Sequence, residues 1–232
     1  MKDKKAEQIA AKQKHREQLK AQRRKEPSLV RPVAELTEKP SILIVCEGEN
    51  TEPSYFNQFR ITSAKVKSVG VGYNTVSLVN RAIELAQQGN YEKVWCVFDK
   101  DDFKADDFNA AIQIAETNNF KVAYSNQAFE YWLILHFNDH IGGGMHRDSY
   151  NEKINELLKP YKVSYDGKGS KMISENFFEL LDGIDSKTKS KRVELAVVRA
   201  ERNYNQFDHT NPAKEESSTT VFKLVRELLK YL

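Results

Sequence analysis

Residues 41–53 read Ser-Ile-Leu-Ile-Val-Cys-Glu-Gly-Glu-Asn-Thr-Glu-Pro. Positions 42–46 are an unbroken apolar run rich in β-branched side chains. Such a run suits a central strand covered on both faces, as in a parallel α/β sheet, and not a strand with one wet face. The run stops at Glu47-Gly48. Thr51 then offers an N-cap, and Pro53 fits the first turn of a helix carrying Tyr55, Phe56 and Phe59. A second stretch repeats the design: Val94-Trp95-Cys96-Val97-Phe98 runs straight into Asp99-Lys100-Asp101-Asp102.

Between and after these two strands the pattern alternates. A strand is expected at 65–72 and a helix at about 75–88, where Val76, Val79, Ala82, Ile83 and Ala86 recur at helical spacing. A helix at about 106–117 places Phe108, Ala111, Ile112 and Ala115 inward. A strand at 120–124 leads into a helix with Phe129, Trp132, Leu133 and Leu135. The order over 41–137 is β-α-β-α-β-α-β-α, which predicts an α/β fold with a mostly parallel sheet flanked by helices. Right-handed crossovers put the C-terminal ends of parallel strands on one edge, where ligands of such sheets bind.

Strand signals fade beyond residue 138, and helices are expected at about 149–159, 170–182 and 189–205. The last helix, about 218–231, carries Val221, Leu224, Val225, Leu228 and Leu229 as one stripe. The expected organisation is a basic arm and linker over 1–40, a catalytic core over 41–137, a mostly helical insertion over 138–205, and a C-terminal helix over 206–232 docking on the core.

Length and composition bound the reading. The 232 residues are 40% apolar and 30% charged, enough for a core under a highly charged surface. No apolar run approaches the roughly 20 residues that cross a bilayer. The start, Met-Lys-Asp-Lys-Lys, lacks the apolar stretch of a secretory signal. Cys46 and Cys96 each sit inside an apolar run and are expected as buried thiols in a reducing cytoplasm. Residues 1–25 carry ten Lys/Arg against three acids, which is +7 of a total of +3 and leaves the remainder at −4. A basic arm on an acidic body is a pattern of nucleic-acid binders, although a plain solvated extension has the same composition.

The acids at the strand ends carry the chemistry. If the two strands are neighbours, Glu47 meets Asp99 and Asp101, whose side chains strand alternation points the same way. Several carboxylates so close stay ionised together only if a cation or a proton neutralises them. Oxygen ligands without His or Cys favour a hard ion, Mg²⁺ or Mn²⁺. Such an ion supports phosphodiester chemistry, and Glu47 could also act as general base. The plainer reading of acids after a strand is a helix cap or turn, and it suits Glu52 and Asp102 better than the other three.

A strand ending in Glu-Gly followed by one ending in Asp-x-Asp resembles the Toprim fold of topoisomerases, bacterial primases and OLD-type nucleases. The longer blocks 45–56, 98–103 and 125–137, with Asn211-Pro212 and Ser218-Thr219-Thr220-Val221, resemble the RloB-like family. Gln127-Ala128 departs from that pattern, standing where a proline-containing turn is common. The resemblance implies a Toprim-type, Mg²⁺-dependent nuclease that acts as an effector of phage defence or abortive infection, encoded near an AAA-type ATPase. It implies Glu47, Asp99 and Asp101 as metal-site and catalytic residues.

Other residues are weighed beside these. Glu130, at the start of the helix after the fourth strand, is a further metal ligand or an acid placed by the helix dipole. Lys100 could reach a phosphate or be an ordinary solvated lysine. The basic run 187–192, with Lys189, Lys191 and Arg192, and the arm residues Arg23 and Arg24 are candidate contacts to a nucleic-acid backbone. His136, among Leu133, Leu135 and Phe137, reads as a core histidine. Residues 166–171, Asp-Gly-Lys-Gly-Ser-Lys, lack the spacing and preceding strand of a P-loop. No nucleophile elbow and no dinucleotide fingerprint is present. The alternative function is a non-catalytic module that senses nucleic acid or a nucleotide and regulates a partner ATPase. A primase- or topoisomerase-like transferase ranks below both.

Overall fold

The computed structural model describes residues 10–18, 20, 39–140 and 144–232. Residues 10–18 and 20 are helical and exposed. Residues 39–232 form one compact unit. Its sheet has the order β2-β1-β3-β4-β5, with β1 Ser41–Cys46, β2 Lys65–Gly70, β3 Lys93–Asp99, β4 Lys121–Asn126 and β5 Ser218–Thr219. The first four strands are mutually parallel and β5 is antiparallel to β4. Together with its flanking helices this is the α/β, Rossmann-like arrangement that the two apolar strands predict.

Alternation along the strands decides which helices cover which face. Leu43, Val45, Val94, Cys96 and Phe98 pack on α2 (Thr75–Gln87) and α3 (Ala105–Thr117) through Leu78, Val79, Phe108 and Ala111. Ile42, Ile44, Cys46, Trp95 and Val97 face the other way. They meet α1 (Thr51–Phe56), α4 (Phe129–Phe137) and the later helices α5 (Arg147–Leu158), α6 (Glu175–Asp182), α7 (Arg192–Tyr204) and α8 (Val221–Leu229). Because β1 and β3 are central, both their faces are buried, which is why their sequences are apolar without interruption. Cys46 and Cys96 are free and buried, as expected. Among the described residues, no helix is long and apolar enough to cross a membrane.

Some local expectations shift. Asn50, not Thr51, is the N-cap of α1, and Thr51 is its first helical residue. The helix ends at Phe56, and just beyond it the Gln58 N–H turns to the Tyr55 carbonyl while its side-chain amide takes the Ser54 carbonyl at 2.8 Å. Strand β2 ends at Gly70, two residues early. Gly72 takes φ 64°, a left-handed value that turns the chain away from the sheet. The segment read as the start of the last helix is instead β5. Thr219 Oγ1 donates to the Tyr124 carbonyl at 2.9 Å, and Thr220 Oγ1 accepts from the Tyr124 N–H at 2.9 Å, so these hydroxyls finish the edge of β4. Helix α8 follows, and Glu227 pins it to the sheet by accepting from Lys93 of β3 at 2.6 Å and Lys121 of β4 at 3.1 Å.

Candidate active site

The parallel order puts the C-terminal ends of β1, β3 and β4 side by side. Glu47 follows β1 directly. Its N–H donates to the Val97 carbonyl at 2.8 Å, which prolongs the β1–β3 ladder by one rung and fixes the residue beside Asp99. Glu47 Oε2 in turn accepts from the Asp99 N–H at 3.2 Å. Asp99, the last residue of β3, is 8% exposed. Its Oδ2 accepts from the N–H of Phe129, the first residue of α4, at 3.0 Å. The β3 end is thereby fastened to the helix that carries Glu130.

Asp101 reaches the same place by another route than the expected one. The strand ends at Asp99, so alternation does not orient Asp101. A turn does: Asp101 has φ 42°, and its N–H donates to the Gln127 carbonyl at 3.0 Å. Asp102 is exposed in that turn, in keeping with its plainer reading.

Glu47, Asp99, Asp101 and Glu130 line one cavity of about 210 Å³. Glu52 and Lys171 line it as well. Glu52 sits in the first turn of α1, as the plainer reading of a helix-start acid has it, yet it is only 4% exposed. Its Oε1 accepts from the Gly48 N–H at 3.2 Å. A Cβ on Gly48 would lie 2.2 Å from Glu52 Oε2, so glycine is what lets this carboxylate lie over the turn. Glu130 Oε1 accepts from the Tyr165 hydroxyl at 2.9 Å, and that hydroxyl oxygen lies 3.3 Å from Thr51 Oγ1. The loop before α6 is thus tied to the acid wall.

Electrostatics in the cavity follow from burial and like charge. Burial pushes the Asp99 carboxyl well above the usual carboxylate range, and the charges of Glu52, Asp101, Glu47 and Glu130 push it further. Burial, joined by the Glu130 charge, pushes Glu52 up to about 7, while main-chain N–H groups and Lys171 pull it partly back. Both shifts favour the protonated forms, and a positive charge in the cavity opposes them. As donors they are hard oxygens, the chemistry that suits Mg²⁺ or Mn²⁺. Among the described residues, however, no three His, Cys, Asp or Glu side chains are grouped so as to hold a metal ion as they stand. The donor set fits such an ion in kind; engaging it requires the carboxylates to turn toward a common point.

The other candidates are placed elsewhere. Lys100 donates to the carbonyls of Asp101 and Phe103, so its ammonium closes its own turn. Lys189 is exposed in a loop, and Lys191 pairs with Asp182 at 3.3 Å. Arg192 is 4% exposed. It donates to the Leu180 carbonyl and to the Tyr161 hydroxyl, both at 3.0 Å, and packs against the Phe137 and Tyr161 rings. Its expected contact to a nucleic-acid backbone gives way to a buried structural role. Arg23 and Arg24 lie outside the described residues. His136 is fully buried, 3.3 Å from the Tyr55 hydroxyl and 3.0 Å from the Trp132 carbonyl, a core histidine as its neighbours in sequence suggest.

A family model for RloB-like proteins matches residues 42–228. The chain belongs to the RloB-like family. The matched span runs from β1 into α8, so it takes in every acid of the cavity as well as Lys171 and Tyr165 of the RloB-like fold. No curated protein and no solved structure gives a significant match to this RloB-like chain.

Proposed function

We propose that this RloB-like protein is a metal-dependent nuclease of the Toprim type. The observation that supports it is the gathering of Glu47, Asp99 and Asp101, from the ends of two adjacent parallel strands and the turn after the second, into one small cavity at the edge of the sheet where ligands of such folds bind. Glu47, Asp99 and Asp101 would hold Mg²⁺ or Mn²⁺, with Glu130 at the cavity wall as a further ligand. When bound, the ion activates water and offsets charge on the leaving oxygen of a phosphodiester.

The chain's own residues do the rest. Main-chain donors hold one oxygen of each acid, the Phe129 N–H that of Asp99 and the Asp99 N–H that of Glu47, so the two carboxylates stay beside each other while turning toward an ion. Glu47 lines both this cavity and the wider groove beside it, and in this reading it would take a proton from the attacking water. Lys171 brings a positive charge to the same wall, suited to a scissile phosphate. Nucleic acid is the substrate class favoured by the basic residues 1–25. The biological setting that goes with this reading is antiphage defence in the cytoplasm, with an AAA-type ATPase as partner.

The experiment is cleavage of DNA and RNA with Mg²⁺ or Mn²⁺ by the wild type and by Glu47→Gln. Loss of cleavage in the variant supports the reading, and equal cleavage by both removes Glu47 from the mechanism. One observation favours a second reading. One carboxylate oxygen of Glu47 and one of Asp99 are already engaged by main-chain N–H groups, and no ready metal group stands among the described residues. A non-catalytic module that binds nucleic acid or a nucleotide and regulates the ATPase would show salt-sensitive binding and no turnover with any ion.

A further inference from the structure

Beside the acid cavity runs a wider groove of about 540 Å³, within the range of about 300–1,000 Å³ that takes a small organic molecule. The two share Glu47, Gly48, Thr51 and Lys171, so a ligand in one abuts a ligand in the other. Two aromatic side chains line the groove: Tyr73, which is 50% exposed, and Phe103, which is half-buried. The rest of its lining is polar, with Asn50 and Asn74 offering amide donors and acceptors.

Charge separates the two ends. Glu49 lines the groove away from the shared residues, and among the described residues that line it Lys171 is the lone cation, located with Glu47 where groove and acid cavity meet. A phosphate is repelled by Glu49, and at the junction it is drawn by Lys171 once a divalent ion offsets the cavity acids. A neutral, flat group with hydrogen-bonding edges suits the Glu49 end. A nucleotide has that division: a base with a free π-face and polar edges, joined to an anionic phosphate. In a duplex each base face is covered by its neighbours, so an aromatic side chain can stack only on a base that is unpaired and turned out.

We propose that this groove receives an unpaired nucleotide, its base against Tyr73 and Phe103 and its phosphate at Lys171, so that the substrate is single-stranded nucleic acid or an unpaired loop. The inference rests on the nuclease reading for what happens at the phosphate, but its test is binding and needs no turnover. Aromatic stacking is worth about 1–3 kcal/mol per base by alanine substitution, which is roughly a 5- to 150-fold change in affinity.

The test is fluorescence anisotropy of a short labelled single strand, as DNA and as RNA, and of the blunt duplex of the same sequence, with the full chain in Ca²⁺. The single strand is expected to bind about tenfold or more tightly than the duplex. Tyr73→Ala is expected to lose at least about fivefold for the single strand and little for the duplex, while Tyr73→Phe, which keeps the ring, stays near wild type. Equal affinity for strand and duplex, or no loss in Tyr73→Ala with an unchanged melting temperature, overturns the proposal. A mononucleotide that binds as tightly as the strand also overturns it, since the groove would then serve a free nucleotide. If Glu47→Gln cleaves like the wild type, the nuclease reading falls while the strand preference stands on its own result.

Discussion

The main-chain N–H of Asp99 donates to Glu47 Oε2 across 3.2 Å, so the ends of β1 and β3 are joined through the acids they carry. Glutamine at position 47 keeps an oxygen that can accept the same hydrogen bond and removes a negative charge near Asp99. Glu47→Gln is therefore expected to cost less than about 1 kcal/mol in urea unfolding, or to stabilise, while abolishing cleavage. A large loss of stability would mean that any loss of activity reports folding and not chemistry.

Asp99 and Glu52 are held toward their protonated forms by burial and mutual charge, and a divalent ion relieves that cost. Mg²⁺ or Mn²⁺ is expected to raise the melting temperature. At an ion concentration about a hundred times Kd the gain is about 2.7 kcal/mol. Asp99→Asn keeps an acceptor for the Phe129 N–H but loses the ligand charge, and its melting temperature is expected to respond far less. A wild-type melting temperature indifferent to either ion speaks against the site.

His136 gives a pH dependence of stability. Burial is the main cause that holds its imidazole down at about 3, against about 6.5 for an exposed histidine, despite hydrogen bonds that favour the charged form. The folded value lies below the unfolded one, so the unfolded chain takes up the proton first. Its contribution is fully present above about 6.5 and is lost as pH falls toward about 3, by up to about 1.4 kcal/mol per pH unit. Urea midpoints across that window should fall more steeply for the wild type than for His136→Gln.

Arg192 separates packing from nucleic-acid contact. Removing a buried guanidinium held by the Leu180 carbonyl, the Tyr161 hydroxyl and two rings leaves those groups unpaired. Arg192→Ala is expected to cost about 2–4 kcal/mol of stability. Measured well below its melting temperature, the variant should show the same salt dependence of nucleic-acid binding as the wild type. A shallower salt slope would return Arg192 to the phosphate contacts.

What was legible in the sequence followed burial. Strands β1 and β3 are covered on both faces, so their apolar runs announce a central parallel sheet, and the acids immediately after them come together at its C-terminal edge. Residues 218–219 were not legible as a strand, because two residues have no periodicity and their hydroxyls act only once β4 lies beside them. Glu52 was concealed by position: an acid in a first helical turn is ordinary, and only the missing Cβ of Gly48 lets it lie over the cavity. Lys171 and Tyr165 come from a loop more than a hundred residues after Glu52, and no spacing in the chain relates them to it. Arg192 closes a run of six residues that includes Lys187, Lys189 and Lys191, a composition that reads as a solvated face, while the rings that bury it come from other elements.

The most direct test of the acid cavity is anomalous diffraction from crystals of the full chain soaked in Mn²⁺. The account predicts a manganese peak within coordinating distance of Glu47 and of Asp99 or Asp101, with the Glu47→Gln crystal showing a weaker peak or none. Manganese bound elsewhere on the chain, or a cavity that stays empty of it at saturating Mn²⁺, would contradict it.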